Sequence, residues 1–270
     1  MSIRKKGEAS SSIAHATRES VTVRGLDLCE DLIGRTSFTE YFLLLLTGSR
    51  PSPKLARLTD ACLVAIAEHG MVGSVQVARM TLSSAPDALQ GAVAAGLLGC
   101  GPVILGAAET AGVLLGAIVA DQRSSGKPLA QVVTTHLERV RDSREAMPGF
   151  GHPIHKDGDP RAARLLALAD EIEASGGHCA AFLEIDRQLE SVFGRRLPMN
   201  VSGAIPAVLL DAGFPIDAMR GIPLVARSAG LVAHLVEERV NPIGRILSEA
   251  GHNAIAYVDA SSAATPASHS

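Results

Sequence analysis

Between about residue 21 and residue 259 the apolar positions recur three and four apart, a helical period, and Gly and Pro punctuate the runs. Leu55, Leu58, Cys62 and Ile66 predict one helix, ended by Gly70, which can take the left-handed cap conformation. Asp159 reads as the N-cap and Pro160 as the first residue of a second helix, with Leu165, Leu168 and Ile172 as its buried stripe. A third is predicted from near Pro223 to about Glu238, its apolar face formed by Leu224, Leu231 and Leu235. From Ala88 to Ala108 no charged residue occurs, a length that could nominally span a bilayer. Gln90, the break Gly99-Cys100-Gly101-Pro102 and Glu109 divide it, and it reads as two buried core helices. The pattern predicts an all-α protein. The Ser-rich first 20 residues and the Ala/Ser tail 260–270 are expected to be disordered.

Some polar residues interrupt this pattern. Arg227 falls three residues after Leu224 and four before Leu231, which puts a guanidinium on a buried face. Such a charge needs a partner, either a structural Asp or Glu or the carboxylate of a ligand. Arg161 sits in a first helical turn, where the macrodipole disfavours a cation but where free backbone N–H groups and the side chain could hold an anion together. His69 continues the stripe of Leu58, Cys62 and Ile66 into the expected last turn of its helix, as a satisfied core residue or a ligand contact. The run Pro148-Gly149-Phe150-Gly151-His152-Pro153 cannot continue a helix. It is either an ordinary turn or a rigid loop presenting His152 beside glycines that a ligand can approach closely.

Composition narrows the chemistry. A net charge of -3 with interspersed signs leaves no basic stripe for nucleic acid, and the absence of Trp removes much of the means of stacking bases. Cys29, Cys62, Cys100 and Cys179 lack metal-site spacing and read as buried thiols of a reducing cytoplasm. No secretory leader is apparent in the polar N-terminal residues. Phosphate-binding loops, dinucleotide fingerprints, nucleophile elbows and His-Glu-x-x-His are absent. No third ligand accompanies His152 and His155 in the sequence, so no metal is expected.

The stretch 148–161, Pro-Gly-Phe-Gly-His-Pro-Ile-His-Lys-Asp-Gly-Asp-Pro-Arg, resembles the signature of citrate synthases and citryl-CoA lyases. Val23-Arg24-Gly25, Ser37-Phe38, Leu45-Leu46-Thr47-Gly48 and Ala226-Arg227-Ser228-Ala229-Gly230 with His234 and Glu238 extend the similarity over about residues 21–247. The resemblance implies a helical homodimer with a large domain (21–107 and 205–259) and a small one (108–204). It implies carboxylate and CoA thioester ligands: acyl-CoA and a di- or tricarboxylate. By matched position, His152 would hydrogen-bond a substrate oxygen, and His69, Arg161, Arg227 and Arg245 would bind the carboxylates. Gly149, Phe150 and Gly151 would line the CoA site through their backbone, with Lys156 near its phosphates.

Two departures bear on mechanism. Where the synthases carry Gly-Pro-Leu-His-Gly-Gly, this chain has Gly101-Pro102-Val103-Ile104-Leu105-Gly106, so Ile104 replaces the histidine that polarises the thioester. Where the family has Asn-Val-Asp, the chain reads Asn200-Val201-Ser202, and a serine hydroxyl is a weak base without an activating partner. The resemblance, and a length similar to stand-alone citryl-CoA lyases, point to cleavage of a 3-hydroxy-3-carboxyacyl-CoA, with His152 accepting the hydroxyl proton and Ser202 the candidate for the α-proton. Other thioester chemistry on the same scaffold and a non-catalytic binding protein stay open as alternatives.

Overall fold

The computed structural model describes residues 10–152, 155–156 and 158–259, apart from the side chain of Pro102. Helices dominate it, as the periodicity predicts. A small antiparallel sheet precedes them, with strands β1 (Ala14–Ala16), β2 (Val21–Val23) and β3 (Leu26–Asp27) in that order. Strand β1 thus lies inside the segment expected to be disordered, held by pairing of Ala14 with Val23 and Ala16 with Val21. Polar composition alone does not reveal such cross-strand pairing. Residues 1–9 and 260–270 lie outside the described residues.

The helices are α1 (Phe38–Thr47), α2 (Pro53–Ala67), α3 (Gly73–Ser84), α4 (Leu89–Leu105), α5 (Ala107–Ser125) and α6 (Leu129–Ser143). They continue with α7 (Pro160–Glu171), α8 (Gly177–Phe193), α9 (Val201–Asp211), α10 (Gly221–Glu238) and α11 (Gly244–Ala254). Local chemistry sets many ends. Ser37 and Glu40 form a reciprocal capping box at α1, and Gly48 ends that helix in the left-handed conformation. Asp159 caps α7, with Pro160 as its first residue.

The chain groups into two compact units. The first contains the described residues up to Ile66 and Pro102–Ala226, the second Ala67–Gly101 and the described residues from Arg227 onward. In the first unit α5, α7 and α8 pack around α9, buried from Val201 to Leu209 except at Ser202. A helix so enclosed is hydrophobic on nearly all sides and shows no amphipathic stripe. In the second unit Val75, Ala78 and Leu82 of α3 meet Ala92 of α4 and Leu231 and Leu235 of α10. Helix α11 lies on α3.

Three expectations need correction. Leu224, placed on the buried face of α10, is 37% exposed; Ile222, Pro223 and Ala226 are the buried residues of that turn. The uncharged stretch 88–108 does break at Gly101, where φ is 58° and ψ -179°, but it is not wholly buried. Ala92, Cys100, Leu105 and Ala108 are covered while Leu98, Val103 and Ile104 are exposed, because apolar residues all round a helix exceed what one core can cover. Cys29 is exposed, whereas Cys62, Cys100 and Cys179 are buried. Among the described residues no helix is long and apolar enough to cross a membrane.

Candidate functional site

In the first unit three runs of sequence are tied into one frame. Gly151 N–H donates to Pro198 O at 2.7 Å, and Asn200 N–H to Gly149 O at 3.0 Å. The Asn200 side chain donates from Nδ2 to Gly151 O at 2.7 Å, while its Oδ1 accepts Gly203 N–H as the cap of α9. Gly149 and Gly151 both have φ of 81°, where a side chain would be strained. A Cβ on Gly149 would also lie 2.8 Å from Gly203 Cα, so the loop rests directly on the first turn of α9. Phe150 is buried, with its ring centroid 5.0 Å from that of Phe182, so any ligand contact it makes runs through its backbone.

Asp159 joins the third run to this frame. Its carboxylate is fully enclosed, accepts Val201 N–H at 3.0 Å, and grips Arg161 through Nε and Nη2, each at 2.9 Å. Burial pushes the Asp159 carboxyl up, but Arg161 and the backbone donors outweigh it and hold the group below its usual range. The charge therefore persists, and Arg161 is fixed on two of its five N–H groups, with Nη1 outside that pair. The cation in a first helical turn is offset by its own N-cap.

His152 is half-buried and its Nδ1 accepts the backbone N–H of His155 at 3.0 Å, with the two rings 4.5 Å apart between centroids. In the neutral ring the proton then sits on Nε2, which presents a hydrogen-bond donor. Lys156 is exposed, and Pro153 lies outside the described residues. Ser202 is half-buried in the first turn of α9, and Pro206 cannot donate the helical bond to its carbonyl. Ile104 is 52% exposed and offers no polar atom in place of a histidine.

The second unit holds His69, Arg227 and Arg245. His69 is not in the last turn of α2, which ends at Ala67. The Glu68 carboxylate accepts the N–H groups of His69 and Gly70 at 2.8 and 2.6 Å, and Gly70 turns the chain at φ 72°. Arg227 is half-buried on α10. Arg245 is exposed in the first turn of α11 and borders a cavity of about 520 Å³ with Leu82, Ser83, Pro86, Glu238, Arg239 and Pro242. Glu238 anchors that turn by accepting the N–H groups of Ile243 and Gly244.

The frame brings together His152, Arg161 and the glycine loop with the turn that carries Ser202. Sequence reasoning took Asp159 only as a helix cap and Asn200 only as part of the Asn-Val-Ser run, so it missed their joining role in the first unit, and it passed over Glu68 in the second. Asn200 had a usable signal, since an Asn before an apolar run is a good N-cap. The long-range acceptors Gly149 O and Gly151 O had none.

Comparison with known proteins bears on the family. Residues 10–247 match the family described as citrate synthase, C-terminal domain. A citrate synthase from Synechocystis sp. is 31% identical over an alignment of 218 positions that covers 78% of this chain and 52% of that protein. The chain spans about half the length of the curated relatives it matches. A citryl-CoA lyase from Hydrogenobacter thermophilus is similar in structure, with a TM-score of 0.75 and 31% identity over 86% of this chain and 87% of that one. ATP citrate lyase from Methanosaeta concilii, in complex with (3S)-citryl-CoA, shares the fold with a TM-score of 0.76 at 21% identity, over 95% of this chain and 42% of that one. With its signature loop locked to the first turn of α9 and its sequence matched from residue 10 to residue 247, the chain belongs to the citrate synthase family.

Proposed function

We propose that this protein is a carbon–carbon lyase that cleaves a 3-hydroxy-3-carboxyacyl-CoA, such as citryl-CoA, to an acyl-CoA and a 2-oxo acid. The observation that carries the reading is the frame around the glycine loop, which sets an imidazole N–H and a guanidinium on one rigid piece of backbone. Support comes also from the likeness to a citryl-CoA lyase along most of both chains. In this reading Arg161, through Nη1, and Arg227 hold carboxylates, with His69 and Arg245 as further contacts. The Gly149 to Gly151 backbone lies along the thioester and Lys156 meets the CoA phosphates.

Cleavage takes the proton from the tertiary hydroxyl, turns that carbon into the ketone of the 2-oxo acid, and leaves the bonding pair as the thioester enolate. A second proton then goes to the α-carbon. His152 as it stands donates from Nε2, which suits holding the substrate oxygen. To accept the hydroxyl proton it must first move its own proton to Nδ1, at the loss of the bond from His155. Ser202, or a water held by it, is the candidate to supply the proton to the enolate.

Ile104 and Ser202 favour a second reading, in which the same frame serves another reaction of a CoA thioester such as hydrolysis or decarboxylation. The test is to incubate the purified protein with CoA thioesters and 2-oxo acids and follow products in both directions by mass spectrometry. Release of acetyl-CoA and oxaloacetate from citryl-CoA is the expected result. Turnover of a different thioester alone would replace the lyase reading with the second, and tight CoA binding without turnover would replace both with a binding role.

A further inference from the structure

The second unit contains a chain of polar contacts that the proposed chemistry leaves unused. His234 Nε2 lies 2.9 Å from Glu68 Oε2, and the other Glu68 oxygen accepts the N–H groups of His69 and Gly70. On the opposite edge of the ring, Nδ1 is 3.4 Å from Arg79 Nη1. A guanidinium only donates, so Nδ1 is the acceptor and the proton of the neutral ring is on Nε2, facing Glu68. Arg79 cannot turn away. It is 2% exposed and bound to Glu238 at 2.6 Å, Glu237 at 2.8 Å and Asn241 O at 2.9 Å.

Backbone packing fixes the same junction independently. A Cβ on Gly230 would lie 2.1 Å from the carbonyl oxygen of Ala67, so only glycine lets α10 approach the end of α2 this closely. Gly230 and His234 are one helical turn apart, and Arg227 is three residues earlier, so the three share one face of α10. A histidine that merely stapled two helices would bind a side chain whose other contacts lie on a helix. Here the partner, Glu68, spends its second oxygen on the two N–H groups that flank the His69 Cα.

We infer that His234 is a positioning residue that, through Glu68, fixes the backbone of His69 and so aims its ring from the helical face that carries Arg227. This role rests on the proposed binding of a carboxylate by His69 and Arg227. The orientation is inherited by hydrogen bonds from a buried, fully held guanidinium, which gives a residue outside any helix the precision of one inside it.

The test uses the full chain with citrate and CoA as separate probes in titration calorimetry, and hydrogen exchange of the peptide covering residues 68–70. His234→Leu removes the donor to Glu68 but also the acceptor for Arg79, so Glu68→Ala serves as the second variant; the Glu68 side chain is 47% exposed and its loss opens no core. Both should weaken citrate binding roughly tenfold, the effect of losing one hydrogen bond to a charged group, with CoA binding unchanged and faster exchange at His69 and Gly70. His234→Gln, whose side-chain amide can donate to Glu68, should restore most of the citrate affinity. Wild-type citrate affinity in Glu68→Ala, or a His234→Gln protein as weak as His234→Leu, would overturn the role. If the wild-type chain binds neither probe, the proposed function fails. Exchange then still decides the positioning role, which falls if His234→Leu leaves the two amides as protected as before.

Discussion

Arg227 was conspicuous in the sequence because a guanidinium does not belong on a helical face between leucines, and the structure keeps it half-buried. Arg227→Ala is expected to weaken citrate binding by about 2–5 kcal/mol while leaving CoA binding nearly intact, and Arg227→Lys to recover little, since an ammonium lacks the planar fork. Calorimetry with each ligand checks this, and equal loss of both would count against it. His152 offers a sharper check, because its role depends on which nitrogen bears the proton. Nitrogen-15 shifts of the imidazole should report the Nε2–H tautomer in the unliganded protein; the opposite tautomer would make His152 ready to accept a proton directly. At Ser202, a carboxylate introduced by Ser202→Asp should raise solvent deuterium exchange into acetyl-CoA if this position handles the α-proton. Recovery would be partial, as Ile104 still supplies no donor to the thioester oxygen. An unchanged rate with unchanged binding would remove Ser202 from the site.

At the level of elements, stability depends on a few caps and close approaches. Asp211, at the end of α9, accepts the N–H groups of Gly176, His178 and Cys179 and pairs with His178 Nδ1 at 2.8 Å, anchoring the start of α8. Burial raises its carboxyl, but these donors outweigh it and depress the group to about 2. A folded value below the unfolded one means that the contribution, about 2 kcal/mol, is complete above pH ~4 and is lost as the pH falls towards about 2. Asp211→Asn should therefore be less stable than the wild type in urea at pH 7, with the difference shrinking across that acid window; a constant difference would refute it. Gly230→Ala should lower stability by about 1–3 kcal/mol by forcing α10 from the Ala67 carbonyl, measurable by thermal or urea unfolding. Sequence periodicity located α2, α7 and α10 because each carries a repeating apolar stripe. It missed β1 because three exposed residues gain their order from pairing with β2 and not from burial.

Over the whole molecule the most telling surface feature is apolar. Each unit by itself exposes large aliphatic side chains, Val103, Ile104 and Val113 in the first and Leu98, Val232 and Val236 in the second. We expect the chain to form a homodimer that covers part of this surface, and light scattering at micromolar concentration checks it; a monomer would refute the expectation. The uncharged stretch 88–108 looked like core in the sequence because hydropathy does not distinguish a covered face from an exposed one.

The helical character, the start of α7 at Asp159, the course of α10 to Glu238 and the loop holding His152 were legible in the sequence because each depends on residues within a few positions of one another: a stripe, a cap, a glycine or a proline. The tertiary structure alone decided what those elements hold. Gly149 O and Gly151 O meet Asn200, Asp159 meets Val201, and His234 reaches Glu68 across separations of tens of residues or more. Backbone carbonyls are the same at every position in a sequence, and a buried carboxylate finds its donors only when the chain has closed around it.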